Sequence, residues 1–237
     1  MFVTFKMVFV YVTLGTLAGI FGIPYSLAVG NVNLLYRVAM GIMRAGLRAG
    51  GIRVEVSGLD HVPAGMSCIF LANHVSNLDP PVLLPVLPGM CSVLLKKGLM
   101  RIPFLGTAMR MGKFIPVERG NRREAAEASV AAAKAALRSG LHVLFFVEGT
   151  RSESGRLLAF KRGPFYLAIE TGAPIVPIAI SGTEKMMRKH GAAVTPGVAK
   201  VQVMRAIDPS GYATRDELMH AARAAMIAAL PEEMRPV

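Results

Sequence analysis

A histidine and an aspartate stand five residues apart where an apolar run ends in a polar turn. Residues 67–72 lead into Asn73 and His74, and Asp79 follows after four more residues. If the carboxylate reaches one ring nitrogen, the other nitrogen is an acceptor, as a general base requires. The aspartate then fixes the tautomer and stabilises the imidazolium. In isolation, the pair is explained more simply as a helix cap at Asp79 and a strand cap at His74.

Two further apolar runs end in charged turns. Residues 141–147 lead into an acidic, flexible and basic turn: Glu148, Gly149, Thr150 and Arg151. Glycine lets backbone amides approach a ligand closely, and the guanidinium of Arg151 matches a phosphate. A surface turn with an ion pair between Glu148 and a neighbouring arginine is the structural alternative. Residues 114–117 similarly lead into Glu118 and Arg119.

The elements that must position these turns alternate along the chain. The predicted strands lie at 52–56, 67–72, 91–95, 114–117, 141–147, 174–180 and 198–204. Helices are predicted at 123–138, 164–171 and from a capping box at Thr214 and Glu217 to about Leu230. This alternation predicts an α/β domain with a mostly parallel sheet flanked by helices, which binds ligands at the carboxyl ends of its strands. The strand at 174–180 contains two prolines and is predicted to be an edge or a ligand-facing bend.

The first 50 residues form a separate, apolar segment. Residues 7–36 carry no charge, and residues 7–27 as a helix would be about 31 Å long, enough to cross a bilayer core. Pro24 should kink or end this helix. The segment is therefore either a single span or a helical hairpin in one leaflet, and it is less typical of a cleaved signal peptide because only Lys6 precedes it. We divide the chain into a membrane anchor at 1–50 and an α/β domain at 51–237.

The charge balance points to a membrane partner. The net charge is +12. The sequence has no tryptophan and no basic run interleaved with aromatic residues, so it does not favour nucleic acid as the partner. Anionic membrane phospholipids fit better beside an apolar segment. Arginines follow that segment, which predicts an inner-membrane protein with its domain on the cytoplasmic side: Arg37, Arg44, Arg48 and Arg53. The other four histidines lack metal-ligand spacing, so no metal site is predicted.

Together these segments resemble the glycerolipid acyltransferase family, of the 1-acylglycerol-3-phosphate acyltransferase type. The family's NHxxxxD motif matches residues 73–79, and its FPEGTRS motif matches residues 146–152 with Val147 in place of proline. Its third segment matches residues 115–119, and its proline-containing strand matches residues 176–178. The stretch from Lys96 to Gly106 also resembles the family. The likeness covers about residues 54–182.

This resemblance implies transfer of a fatty acyl group from acyl-coenzyme A or acyl carrier protein to the sn-2 hydroxyl of lysophosphatidic acid. The thioesters are co-substrates, and no cofactor is implied. His74 would be the general base and Asp79 its orienting partner. The substrate phosphate would be held by the residues Arg119, Glu148, Gly149, Thr150, Arg151 and Lys97 (or Lys96), with Glu148 positioning an arginine or the glycerol hydroxyl.

Two other functions remain open at this point. The acceptor could be another lysophospholipid or a lyso-ornithine lipid, because a pair of arginines selects a phosphate without naming its carrier. A non-enzymatic membrane protein that binds lipid is a different class. That class predicts a broken His–Asp motif, whereas His74 and Asp79 are both present.

Overall fold

A seven-stranded sheet forms the centre of the protein. The computed structural model describes residues 1–117 and 123–236. Within them the strands are β1 (Ile52–Ser57), β2 (Ile69–Ala72), β3 (Cys91–Lys96), β4 (Ile115–Val117), β5 (His142–Phe146), β6 (Ile175–Ser181) and β7 (Gly197–Val203). Each strand coincides with a predicted one to within a few residues at its ends.

The sheet is mostly parallel, as predicted. Its strand order is β1-β7-β6-β2-β5-β3-β4. The strands β6, β2, β5, β3 and β4 run in one direction, while β7 is antiparallel to β6 and pairs in parallel with β1. The carboxyl ends of the five co-directional strands therefore lie along one margin of the sheet, which we call the carboxyl edge. All of the predicted site turns follow strands that end there.

The proline-containing strand is not an edge strand, so that alternative was wrong. β6 lies between β2 and β7. Ile175 bridges Ile207, but Ile178 pairs with Val203, so the ladder to β7 shifts by one residue between these pairs. Pro177 lies at this break. Because the pairing with β7 is irregular here, the missing N–H of the proline removes no hydrogen bond of a regular ladder. The Pro177 carbonyl still accepts from Met204 N–H at 2.9 Å. Prolines are tolerated at such bulges even inside a sheet.

Helices cover both faces of the sheet. Those of the body are α3 (Asn33–Ala49), α4 (Asp79–Leu83), α5 (Leu105–Met111), α6 (Arg123–Arg138), α7 (Gly163–Thr171), α8 (Thr183–Met186) and α9 (Arg215–Ala229). Phe70 and Ala72 pack toward α3 and α4, whereas Ile69 and Leu71 pack toward α6, α7 and α9. This alternation follows the period of two of a strand and buries each side chain of β2 completely.

The helix boundaries follow their local signals. α6 has the predicted bounds, 123–138. α9 begins where the Thr214 hydroxyl accepts from Glu217 N–H at 3.2 Å, the first half of a capping box. α7 ends at Gly172, whose φ of 69° is the left-handed conformation favoured at a helix C-terminus. The helices on one face of the sheet could therefore be read from the sequence almost residue by residue.

The N-terminal segment forms a helical hairpin with α3. It comprises α1 (Phe2–Leu17), a π-helical turn (Ala18–Gly22) and α2 (Ile23–Val29). The π turn precedes Pro24 and accommodates its missing N–H, so the helix continues past the proline. The chain then reverses and α3 returns antiparallel to α1, with the Tyr11 ring against Gly46 and Leu35 against Gly22. The apolar outer side of α1 and α2 is exposed.

Candidate active site

His74 and Asp79 contact each other at the carboxyl edge, immediately after β2. The imidazole Nδ1 lies 2.7 Å from the Asp79 Oδ2. The carboxylate is completely buried, while 15% of the imidazole is exposed. No described residue hydrogen-bonds the ring's other nitrogen, Nε2. The pair therefore has the geometry of a general base oriented by a carboxylate.

The Asp79 carboxylate is fixed by more than the histidine. Its Oδ2 also accepts from the backbone N–H groups of Val75 and Ser76, both at 2.8 Å. Its Oδ1 accepts from the Thr183 hydroxyl at 2.6 Å, and Thr183 is completely buried. Because four donors surround it, the carboxylate has a defined orientation, and it holds the imidazole in one orientation in turn.

Two further contacts fix the turn itself. The Asn73 side-chain amide donates to the carbonyl of Ile180 at 2.9 Å, and its oxygen accepts from Ile180 N–H at 2.7 Å. This reciprocal pair ties the end of β2 to the end of β6. The Ser76 hydroxyl donates to the Met187 carbonyl at 2.8 Å. The turn that carries His74 is thereby anchored to the segment that follows β6.

The imidazole lies against an aromatic ring from the neighbouring strand. The centroids of His74 and Phe146 are 4.1 Å apart and the ring planes differ by 24°. Phe146 is the last residue of β5, which pairs with β2, so the two rings stack across the sheet. This stacking limits rotation of the imidazole out of its ring plane.

Glu148 joins the two site turns through backbone contacts. One carboxylate oxygen accepts from His74 N–H at 3.0 Å and the other from Leu158 N–H at 3.3 Å. The residue is only 2% exposed. Burial raises the pKa of Glu148 to about 7, and the nearby Asp79 charge adds to this, against the opposing effect of the two backbone donors. Through these two hydrogen bonds Glu148 holds the backbone of His74 in place.

The rest of the predicted anion-binding turn lies nearer the surface. Gly149 has a φ of 69°, a conformation that favours glycine. Gly149 is exposed and Thr150 is partly buried. The Arg151 Nη1 donates to the Lys189 carbonyl at 2.6 Å. Ser152 N–H donates to the His74 carbonyl at 2.8 Å, so this turn is also tied to the turn that carries His74.

The remaining predicted residues belong to strands that end at the same edge. Lys96 closes β3 and Lys97 begins the following 3₁₀ turn (Lys97–Arg101), and both side chains are exposed. Arg119 follows β4 but lies outside the described residues. The structure thus brings His74, Asp79 and Glu148 into contact and places the turns of Arg151 and Lys97 on the same edge.

Sequence reasoning missed the contributions of Thr183 and Asn73 to the site. Both act through partners more than a hundred residues away, Asp79 and Ile180. Asn73 stands in the NHxxxxD motif but received no role of its own. Thr183 had no local signal beyond its place just after a predicted strand. Among the residues described, no three histidine, cysteine, aspartate or glutamate side chains converge as metal ligands.

Comparison with known proteins agrees with this geometry. The acyltransferase family model matches residues 53–181, more than half of the chain. The human 1-acyl-sn-glycerol-3-phosphate acyltransferase alpha is 34% identical over 166 residues, which are 70% of this chain and 59% of that protein. A chloroplastic 1-acyl-sn-glycerol-3-phosphate acyltransferase of Brassica napus is 37% identical over 136 residues, 57% of this chain and 39% of that protein. The chain therefore spans about three fifths or less of the length of these two relatives.

A solved structure shares the fold over nearly its whole length. The 1-acyl-sn-glycerophosphate (LPA) acyltransferase PlsC of Thermotoga maritima superposes with a TM-score of 0.83 at 22% identity, covering 96% of this chain and 92% of that one. The resemblance inferred from the motifs is thus confirmed by an independent match in sequence and in fold. On the family match and the motifs it contains, this chain belongs to the acyltransferase family.

Proposed function

We propose that this protein transfers a fatty acyl group from an acyl thioester to the sn-2 hydroxyl of 1-acyl-glycerol-3-phosphate, giving phosphatidic acid. The observation that carries the proposal is the 2.7 Å contact between His74 and a completely buried, four-fold hydrogen-bonded Asp79. Such a pair can take a proton from a hydroxyl as its oxygen attacks a carbonyl carbon. Because a thioester carbonyl is already activated, this attack requires neither a protein nucleophile nor a cofactor.

The reaction follows from the orientation of the imidazole. With its Nδ1 proton donated to Asp79, His74 takes the hydroxyl proton at Nε2 as the oxygen attacks the thioester carbonyl carbon. Asp79 stabilises the imidazolium that forms. The tetrahedral intermediate then collapses, the carbon–sulfur bond breaks, and the imidazolium returns its proton to the departing thiolate. General-base assistance of this kind contributes about 10²–10⁴-fold to the rate.

The acceptor's phosphate would be held by the turns beside the imidazole. Arg151, Thr150 and the backbone at Gly149 follow β5, and Lys97 and Arg119 follow β3 and β4. Arg151 donates to a backbone carbonyl and keeps further N–H donors for a phosphate. Fixing the phosphate would position the glycerol hydroxyl at His74, and orientation of this kind lowers the barrier substantially. Glu148 would support His74 from beneath, without contacting the anion.

The membrane is the natural site of this reaction, because acceptor and product are both lipids. The helical stretch Phe2–Val29 is long and apolar enough to cross a bilayer by length and composition. Its contacts support the hairpin instead, since Tyr11 and Gly22 pack on α3, while Thr4 and Gly19 contact the α/β domain. A helix held in this way lies along the domain with its apolar side facing one leaflet. We place the protein on the inner membrane, with its domain on the cytoplasmic side.

Two observations bear on the alternatives. A non-enzymatic lipid-binding protein would have no use for an intact, buried and hydrogen-bonded Asp79, so catalysis is favoured. Another phosphate-bearing lysophospholipid would meet the same arginine turn as lysophosphatidic acid. A lyso-ornithine lipid carries a carboxylate in place of the phosphate, so Arg151 could still pair with it and does not decide between these acceptors. The relatives named for 1-acyl-sn-glycerol-3-phosphate support lysophosphatidic acid among these acceptors.

The test is thiol release from acyl-coenzyme A, and separately from acyl carrier protein, by the full chain in lipid vesicles. The acceptors to compare are lysophosphatidic acid, lysophosphatidylglycerol, lysophosphatidylcholine and lyso-ornithine lipid. Fastest turnover with lysophosphatidic acid supports the proposal. Preference for another acceptor would change the proposed acceptor and leave the proposed reaction in place. No turnover with any acceptor and either donor would refute the enzymatic assignment.

A further inference from the structure

An exposed apolar loop lies outside the catalytic machinery. Its members Leu99, Ile102, Phe104 and Leu105 are each 40–44% exposed. They lie within the seven residues 99–105, which follow β3, and we call them the apolar loop. Large apolar side chains clustered in one short exposed segment are typical of an interaction surface. The described body offers only scattered counterparts elsewhere, such as Ile169 on α7.

The apolar loop is held rigidly in its exposed position. Gly106 packs so closely on the Met100 backbone that an added Cβ would lie 2.1 Å from its carbonyl oxygen. Arg110 donates to the same carbonyl at 3.0 Å. Phe104 has a φ of 59°, which is rare for a bulky residue and is maintained only where the surroundings impose it. The exposure is therefore a built feature of the fold.

The apolar loop continues the outer surface of the N-terminal hairpin. The Phe104 side chain packs against Gly19 in the π-helical turn, where an added Cβ would lie 2.5 Å from it. Around this contact the helix exposes Ile20, Phe21 and Leu17 at 46%, 70% and 47%. The exposed apolar surface of the hairpin and that of the loop therefore meet where Phe104 contacts Gly19. A partner that covers the hairpin at this contact also touches the loop.

The charge around the loop has one sign. Residues 80–117 contain no acidic residue and five basic ones: Lys96, Lys97, Arg101, Arg110 and Lys113. The hydrogen bond from Arg110 to the Met100 carbonyl sets one of these charges beside the turn that carries Arg101. Exposed apolar side chains surrounded by basic groups are suited to an anionic lipid surface. The apolar side chains insert at the boundary between headgroups and acyl chains, and the basic groups bind the lipid phosphates.

We propose that the apolar loop is a second membrane-contact element, which seats the catalytic domain on anionic lipid headgroups beside the hairpin. An acidic protein would match the charge but not the continuity with an apolar helix, so the lipid is the occupant that the surface favours. The proposal rests on membrane association and does not depend on acyl transfer. Its outcome is therefore separate from that of the enzymatic assignment.

The experiment places an environment-sensitive fluorophore on the full chain in vesicles. Both native cysteines are buried, Cys68 at 0% and Cys91 at 1% exposed, so an introduced cysteine is labelled selectively. Ile102→Cys reports on the loop, and Ile169→Cys is the matched control because the two isoleucines are 44% and 46% exposed. The vesicles contain phosphatidylglycerol and a lipid with a quencher on its acyl chain.

We expect a blue-shifted emission and strong quenching for the label at residue 102, and neither for the label at residue 169. Equal, weak quenching at both positions would overturn the proposal and leave the loop for an aqueous partner such as an acidic protein. In a second arm, Arg101→Gln should weaken partition to phosphatidylglycerol vesicles about fivefold, while Arg205→Gln, also exposed, should not. Equal effects of these two substitutions would show that the basic residues around the loop make no specific contribution to lipid binding.

Discussion

The two turns that meet at the candidate active site are built in opposite ways. The turn after β2 carries His74 and Asp79 and is tied by buried hydrogen bonds to β6, to Thr183 and to its own backbone. The turn after β5 begins with a buried Glu148 but then opens toward the surface, and Arg151 donates to one backbone carbonyl. The first turn is held by buried hydrogen bonds throughout, whereas the second is held at its two ends, by Glu148 and by Ser152, and is more exposed between them.

This difference matches the two tasks of an acyl transfer. A general base must present one nitrogen in one direction, so a rigid surround benefits it. A group that holds a lipid phosphate must admit and release that lipid, so spare donors near the surface benefit it. The comparison predicts that changes in the first turn alter kcat, whereas changes in the second alter KM for the acceptor.

The largest effect is expected from His74→Ala. Loss of the base should lower kcat by about 10²–10⁴-fold, and some loss of stability is expected because Asp79 loses one of its four donors. The measurement is steady-state turnover in vesicles together with the unfolding temperature. His220→Ala, on the exposed side of α9, is the control and should keep full activity. Turnover near normal in His74→Ala would end the general-base role.

Arg151→Ala should act on the acceptor. A lost hydrogen bond to a charged group costs about 1.5–3 kcal/mol, so KM for lysophosphatidic acid should rise roughly tenfold to a hundredfold while KM for the acyl donor stays constant. Initial rates with each substrate varied in turn provide the test. Arg205→Ala serves as the control for loss of a surface charge. An increase confined to the donor's KM would contradict the phosphate assignment.

A smaller effect on kcat is expected at Thr183. Thr183→Val keeps the shape of the side chain but removes the hydroxyl that donates to Asp79, so the carboxylate loses one constraint and kcat should fall roughly tenfold for a bond of this kind. Thr183→Ser retains the hydroxyl and should restore most of the rate. If valine is as fast as threonine while serine is slow, the methyl group's packing matters and the hydrogen bond does not.

The smallest effect is a pH dependence of stability caused by Glu148. Burial raises its pKa from 4.5 to about 7, so the folded state holds this proton more tightly than the unfolded state. The stabilisation is complete below pH 4.5 and is lost as the pH rises through about 7. Unfolding by denaturant at a series of pH values should therefore show a loss of stability over this range that is absent in Glu148→Gln. A parallel profile in both proteins would assign the pH dependence to other groups.

The sequence predicted the sheet well because each strand carries its own signal. β2, β5 and β6 are short, continuous apolar runs ended by polar or glycine-containing turns, the pattern of strands buried on both faces. The position of β6 in the sheet could not be predicted, because a proline inside a strand suggests an edge strand. Only the bulge in the pairing between β6 and the chain beside it explains why the proline is tolerated inside the sheet. That bulge depends on the pairing of Ile175 with Ile207, which no local pattern encodes.

At the site, residue types were predictable but partners were not. The spacing of His74 and Asp79 allowed their contact, and the structure has it. Glu148 was expected to position an arginine or the glycerol hydroxyl, yet both of its oxygens accept backbone N–H groups. Charge and residue type suggested a side-chain or substrate partner, whereas the tertiary fold brought the backbone of His74 and Leu158 within reach.

The central claim is that Asp79 holds the His74 proton on Nδ1 and leaves Nε2 as the base. Nitrogen-15 NMR of the histidine-labelled protein measures this tautomer directly, with the His74 signals assigned by their absence in His74→Ala. We predict a protonated Nδ1 and an unprotonated Nε2 in the neutral imidazole, and loss of this preference in Asp79→Ala, where no carboxylate accepts from Nδ1. A protonated Nε2 in the unsubstituted protein would contradict the account.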